Sequence, residues 1–224
     1  MADRTRSRTP SRPLYRTHPL ESRKQALAEL SAELAGPAGA GLRIEAEAEV
    51  AAVDLRVDPD GPGVDTASRV LGAALPTRPN TWTRTGDGQL IWLGPDEWLV
   101  TSVAAQPHEW EHTLVGAVSP YGGAAVDVSA QRTSIRLRGT LARELLSFGC
   151  SLDLRPAAFP AGSAAQTTVG LTGVLLLALA EDDYRLFVRP SFAGHLADWL
   201  LDAAQEFRTE LRPAFRTEPA LATT

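Results

Sequence analysis

The apolar positions of this 224-residue chain recur in two rhythms, and the places where one gives way to the other outline the elements. Leu27, Leu30 and Leu34 return at helical spacing and predict a helix over residues 21–34, stopped by Gly36-Pro37. Residues 42–57 alternate Leu, Ile, Ala and Val with Arg and Glu, which predicts one long strand or two short ones. A turn-rich connector, Asp58-Pro59-Asp60-Gly61-Pro62-Gly63, follows. Asp65 or Thr66 then caps a short helix to Leu75, and Pro76 and Pro79 force a loop. Residues 89–93 and 98–103 form a hairpin through Gly94-Pro95-Asp96-Glu97, and Pro107 opens a helix to about Val118, where its missing N–H is no loss. Residues 124–128 and 134–138 read as strands, the second with Ile135 and Leu137 on one face and Ser134, Arg136 and Arg138 on the other. Leu141, Leu145 and Phe148 make the stripe of a helix closed by Gly149.

The last third repeats this plan. Residues 166–171, 173–180 and 184–189 read as strands, Glu181-Asp182-Asp183 as an acidic turn, and Ser191 as the cap of a helix reaching Phe207 that buries Leu196, Trp199, Leu200 and Ala203. Strand, acidic turn, aromatic-headed strand and Trp-containing helix thus occur at 90–118 and again at 174–207, with Asp96-Glu97-Trp98 answered by Asp182-Asp183-Tyr184. The expected fold class is α+β: two related units of antiparallel sheet with packed helices, over residues 19–122 and 123–207. Residues 1–18 are expected to be a disordered basic arm and residues 208–224 a frayed tail.

Composition narrows the function classes. A hydrophobic fraction of 44% with 22% charged residues is ordinary for a globular protein, and a formal net charge of -5 argues against a general nucleic-acid binder. Of the 22 Lys and Arg residues only Lys24 is a lysine, a bias better explained by genome composition than by a phosphate-binding surface, since the arginines are dispersed. Cys150 is the single cysteine and has no partner for an internal disulfide. The longest apolar run, 174–180, is far shorter than the ~20 residues of a membrane helix. With no secretory signal in the arginine-rich start, a cytoplasmic location is expected and no membrane partner.

Candidate chemistry is sparse. His108-Glu109-Trp110-Glu111-His112 matches the H-E-x-x-H pattern, in which two histidines one helical turn apart hold zinc and the glutamate activates its water. A zinc hydrolase is therefore one alternative, but the motif sits at an exposed helix start, and a charged, solvated first turn explains it better. Cys150 reads as a small buried residue and His195 as a core-edge histidine. Asp58-x-Asp60-Gly61 lacks the later ligands of a calcium loop, and Gly39-Ala40-Gly41 lacks the strand of a dinucleotide site.

Several ordered segments carry a resemblance: residues 17–20, 93–100, 126–133, 149–154, Phe159-Pro160-Ala161-Gly162, Gln166-Thr167 and 189–200. Together they resemble the gamma subunits of heterotetrameric sarcosine oxidases, over most of the span from Pro19 to Phe207. His18 departs from the serine more usual there. More distantly, the pattern is similar to the folate-binding aminomethyltransferases of the glycine cleavage T-protein type, with Thr140 in place of a proline in Gly139-Thr140-Leu141-Ala142.

The resemblance implies an aminomethyltransferase folate-binding-domain-like fold within a complex that oxidatively demethylates sarcosine to glycine, using oxygen and passing the one-carbon unit to tetrahydrofolate. FAD, covalent FMN and NAD are implied mainly for the larger subunits and zinc for a small fourth one. The partners implied are alpha, beta and delta chains, and the isolated gamma chain is expected to be inactive. No catalytic, cofactor or metal residue is then expected here. Gly94, Pro95, Asp96, Glu97, Trp98, Asp127, Ser129, Arg132, Gly139, Cys150, Asp153, Pro160, Gly162, Ser191 and Trp199 are expected to be structural or interfacial. Trp82, Trp92 and Trp110 join Trp98 as core or interface anchors. The folate-holding acidic pair has no counterpart in Gln89-Leu90-Ile91-Trp92. A stand-alone folate-dependent transferase remains the other alternative.

Overall fold

The computed structural model describes residues 17–37 and 40–211, so the greater part of the expected arm (1–16) and tail (212–224) lies outside the described residues. In order, the elements are Lys24–Glu33 (α1), Arg43–Ala46 (β1), Ala51–Arg56 (β2), Pro62–Leu71 (α2), Trp82–Arg84 (β3), Gly88–Gly94 (β4), Glu97–Ser102 (β5) and Pro107–Val118 (α3). They continue with Ala124–Asp127 (β6), Thr133–Arg138 (β7), Ala142–Ser147 (α4), Ala164–Val169 (β8), Thr172–Ala180 (β9), Asp183–Val188 (β10), Pro190–Ala203 (α5) and Gln205–Leu211 (α6). Among the described residues the strands form two antiparallel sheets, ordered β1-β7-β10-β9-β8 and β3-β4-β5-β2-β6.

Read from opposite ends, the two orders correspond strand for strand: β8 with β3, β9 with β4, β10 with β5, β7 with β2, and β1 with β6. The repeat seen at 90–118 and 174–207 is therefore present in the topology, since β4-β5-α3 and β9-β10-α5 occupy equivalent places. The boundary between the halves differs from the expected 122/123. β1 joins the sheet of the C-terminal half beside β7, and β6 joins the other sheet beside β2. Alternation in a sequence shows that a strand exists but not which strand it pairs with, so residues 42–57 could not disclose that they split between two sheets.

The layers are helix, sheet, sheet, helix, with three apolar clusters between them. Leu27, Leu30, Leu145, Leu196 and Leu200 of α1, α4 and α5 pack on Ile135, Leu137, Leu176 and Leu186. On the far side, Leu71 and Leu114 of α2 and α3 pack on Val53, Leu55, Trp98 and Val100. The two sheets meet through Ala52, Ile91, Leu99, Leu175, Leu177 and Phe187. The central strands β2, β5, β9 and β10 thus have two largely covered faces, while the edge strands β1, β3, β6 and β8 keep exposed positions.

Local deviations have local causes. α2 begins at Pro62, three residues before the expected Asp65 cap, because proline is pre-set for the first helical position; Gly72 at φ 67 ends the helix in the left-handed cap conformation. α5 likewise opens on Pro190 with Arg189 at the cap, so Ser191 lies inside the first turn and makes no capping bond. The helix expected to reach Phe207 divides at Ala204 into α5 and α6, a break no residue type announces. β3 was hidden in the loop after Pro79, its three residues too short for a period. Phe148, expected in the stripe of α4, is 48% exposed and stacks on Phe207 with ring centroids 5.7 Å apart. At the chain ends, His18 bonds the Glu47 carbonyl at 3.0 Å and Arg208 pairs with Glu33, so order extends slightly past 19 and 207. Among the described residues no helix is long and apolar enough to cross a membrane.

Candidate functional site

The layer between the sheets is the most polar interior of the molecule: an apolar centre flanked by two charged clusters. At one end Arg185 of β10 forks onto Glu47, with Nε and Nη2 each 2.6 Å from a carboxylate oxygen, and its Nη1 donates to Gln89 Oε1 at 2.7 Å. Beside it Arg136 of β7 makes the same two-pronged contact with Asp183, at 2.8 and 2.6 Å. The hydrogen bonds to Asp183 raise the Arg136 pKa further. Fork-to-carboxylate geometry fixes direction as well as distance, and it aligns β7, β10 and the segment leaving β1. A cleft of about 480 Å³ opens over this cluster, bordered by Glu47, Arg84, Gln89, Arg136 and Arg185. The inner guanidiniums, Arg185 and Arg136, already hold Glu47, Asp183 and Gln89.

At the other end Asp54 of β2, Glu97 of β5 and Arg189, the cap of α5, surround Arg132, the last residue of the segment between β6 and β7. Burial, then the neighbouring Arg189, lowers the Arg132 pKa, while Asp54 and Glu97 act the other way. Asp54 Oδ1 and Arg132 Nε are both buried without a hydrogen-bond partner among the described residues. Glu97 pairs with Arg56 at 2.5 Å, yet its carboxyl is raised above the usual 4.5, chiefly by burial and then by Asp54. A raised carboxyl contributes stability that is complete below its unfolded pKa and is lost as pH rises through the folded value. Relative to wild type, Glu97→Gln should therefore gain thermal stability as pH rises above about 4.5, in melts compared at pH 4 and pH 7. A wild-type advantage that grows over that interval would contradict the assignment.

The two crossings between sheets, at residues 47–50 and 128–132, are tied together by the Val126-Asp127-Val128-Ser129 motif. Ser129 is 4% exposed; its Oγ accepts the Ala52 N–H at 2.9 Å and donates to Asp127 Oδ1 at 2.5 Å. Asp127 Oδ1 also accepts the Ser129 N–H at 2.9 Å. Glu111 of α3 reaches the free edge of β6, its Oε1 taking the Asp127 N–H at 3.0 Å. That contact accounts for the glutamate of the His-Glu-x-x-His segment. His108 is 93% exposed, with Glu111 3.9 Å away, and His112 is exposed. Among the described residues no group of three or more His, Cys, Asp or Glu side chains is placed to hold a metal ion.

The remaining motif residues fall at joints. Gly94, Pro95 and Asp96 turn the β4–β5 hairpin, and the Asp96 carbonyl accepts the Val57 N–H at 3.1 Å. Trp98 is wholly buried and donates its indole N–H to the Pro76 carbonyl at 2.8 Å. Gly139, at φ 111, donates to the Asp182 carbonyl, and Gly162, at φ 91, bridges the sheets by donating to Ala178 and accepting from Trp82. The Ser163 N–H donates to the Pro160 carbonyl at 3.0 Å. Asp153 is clamped by Arg155, which holds its carboxyl down at about 2. Cys150 is buried, its Sγ 3.8 Å from Thr167 Oγ1. Trp82 is half-buried and bonds the Ala178 carbonyl at 3.0 Å, while Trp92 and Trp110 pack at the edge of the α2–α3 core. His195 is exposed and bonds the Gly170 carbonyl at 3.1 Å.

Glu47, Asp54, Asp183 and Arg185, which build the charged layer, were absent from the sequence-derived set. The signal was there in β2 and β7, where charged residues alternate with Val53, Leu55, Ile135 and Leu137; such alternation reads as a solvent face until a second sheet covers it.

A duplicated pair of antiparallel sheets, packed face to face between helical layers and crossed by the motif segment, defines a two-sheet α+β class of protein. A model of the sarcosine oxidase gamma subunit family matches residues 56–206. Sarcosine oxidase subunit gamma of Corynebacterium sp. strain P-1 is 33% identical over 70% of this chain and 77% of its own length. That of strain U-96 is 32% identical over 83% and 91%. The chain belongs to the sarcosine oxidase gamma subunit family. Among solved structures it is similar to the heterotetrameric sarcosine oxidase of Corynebacterium sp. U-96 in complex with pyrrole 2-carboxylate, at TM-score 0.78 and 29% identity, covering 86% of this chain and 96% of the matched one. It shares the fold alone with aminomethyltransferase T of the glycine cleavage system from Bartonella henselae, at TM-score 0.53 and 13% identity, over 78% of this chain and 48% of that one.

Proposed function

We propose that this chain is the gamma subunit of a flavin-dependent sarcosine oxidase complex and contributes packing surfaces rather than reacting groups. The complex oxidatively demethylates sarcosine to glycine with oxygen as oxidant, and passes the one-carbon unit to tetrahydrofolate. Alpha, beta and delta chains are the partners, and FAD, FMN and NAD sit on the larger ones, in a cytosolic assembly. The family-motif residues act as joints of the two-sheet body.

The observation that carries this reading is the internal pairing of the interior charges. Arg185 with Glu47 and Arg136 with Asp183 tie β7, β10 and the segment leaving β1 within one sheet, and the Arg185 bond to Gln89 of β4 crosses to the other sheet. Removing either partner of such a pair would strand a charge, which makes them struts. Co-expression with the companion chains should give a stoichiometric complex active on sarcosine, while the gamma chain purified alone should not turn sarcosine over. A chain that stays monomeric beside its companions would remove the proposal.

A further inference from the structure

Resting on the reading of the chain as a subunit, we infer that the apolar knob formed by Leu171, Phe192 and Phe148 is an anchor that inserts into an apolar pocket of a larger companion subunit. Leu171 is 96% exposed at the tip of the β8–β9 hairpin, at φ 66. Gly170, at φ 53, precedes it, so both residues of this two-residue turn are left-handed. Such a turn favours asparagine or glycine at both places. A leucine there is disfavoured by its backbone and by water, and no contact among the described residues explains it.

The knob is rigid and continuous. On α5, Phe192, His195 and Trp199 share one face at helical spacing, and Phe192 is 52% exposed. The Trp199 ring lies against Gly149 and Gly170, where a Cβ would approach within 2.4 Å of it. The Gly149 carbonyl accepts the Gly170 N–H at 3.2 Å, and Phe148, next in sequence, carries the apolar surface to Phe207. His195 Nε2 donates to the Gly170 carbonyl at 3.1 Å, which ties α5 to the turn. The pocket that fits is lined by aliphatic or aromatic side chains.

Area selects the occupant. If a whole large side chain offers roughly 150–250 Å², these three expose on the order of 400 Å². A stable two-fold dimer needs about 800 Å² from each partner, so a second copy seated on this knob alone falls well short. A larger subunit, whose contacts continue beyond the knob, uses it as the buried centre of a wider interface.

Leu171→Asn and Phe192→Glu test this. Asparagine suits the left-handed turn, and glutamate suits the first turn of α5, so both isolated variants should melt at or above the wild-type temperature. When co-expressed with the companion chains and recovered through a tag on this chain, each should lower companion recovery at least ten-fold. Val103→Asn, at a 72% exposed residue beside the Glu47 cleft, should leave recovery unchanged. Stability and assembly moving in opposite directions is a signature that a purely structural role would not give. Wild-type recovery by both variants, with the wild type itself assembling, overturns the anchor and leaves the subunit reading intact. A wild-type dimer in sedimentation that either variant splits overturns it in favour of a second copy. A Leu171→Cys thiol unmasked by deleting residues 212–224 overturns it in favour of the chain's own tail. Failure of the wild type to assemble brings down the subunit reading and this inference together.

Discussion

Ser129→Ala is expected to destabilise the isolated chain by about 3 kcal/mol, the sum of an orphaned buried donor and a lost charge-assisted hydrogen bond. The Ala52 N–H, 2.9 Å from Ser129 Oγ, would face a methyl group in a place closed to water. Asp127 would keep only the backbone N–H of residue 129. In a chain of this size the thermal midpoint should fall roughly 6–12 °C. Asp127→Asn should cost less, about 1 kcal/mol, because an amide oxygen still accepts both bonds. Arg132, buried and unpaired at Nε on the same crossing, belongs with this group: replacing it should also alter stability or assembly first. In every case, sarcosine turnover per assembled complex should match wild type, measured on fractions that have kept full stoichiometry. An intact complex from Ser129→Ala or Asp127→Asn with turnover abolished would show that the chemistry reaches into this chain.

Gly170→Ala should be at least as damaging, about 3–4 kcal/mol, since a side chain there is strained by φ 53 and overlaps the Trp199 ring at 2.4 Å. The ring has little room to slide, because Gly149 lies beside Gly170 against it, its own Cβ position also 2.4 Å from the ring. The clash predicts a coupling that urea denaturation can measure. Trp199→Leu alone should cost about 2–3 kcal/mol through lost burial, but added to Gly170→Ala it frees the space the new methyl needs. The double variant should therefore be more stable than the sum of the single losses by 1 kcal/mol or more. Additive losses would mean that the glycine is required for its backbone conformation only.

Much of this architecture was legible from periodicity. The hairpin through Gly94 to Glu97, the helix from Pro107 and the strand of Tyr184 were readable because apolar spacing and a turn or proline signal agreed at each. The repeat was readable for the same reason, since Trp98 and Tyr184 head equivalent strands. Strand partnership was not legible, because β1 and β6 cross to the sheet of the other half through segments that carry no periodic signal. The charged layer was hidden by an ambiguity of the code: Asp54 and Arg136 occupy positions that face water in a single sheet and another sheet in a double one. Motif residues such as Asp127 and Ser129 could be singled out by resemblance, but their role as a splice between crossings appears only when Ala52, 77 residues from Ser129, is beside them.

The central claim is that this polypeptide holds a complex together and takes no part in the reaction. Oxygen uptake by the purified chain alone, supplied with sarcosine, flavins and tetrahydrofolate, tests it most directly. The account predicts uptake indistinguishable from buffer, with activity appearing only when the companion chains are added. Saturable, sarcosine-dependent uptake by this chain alone would contradict it.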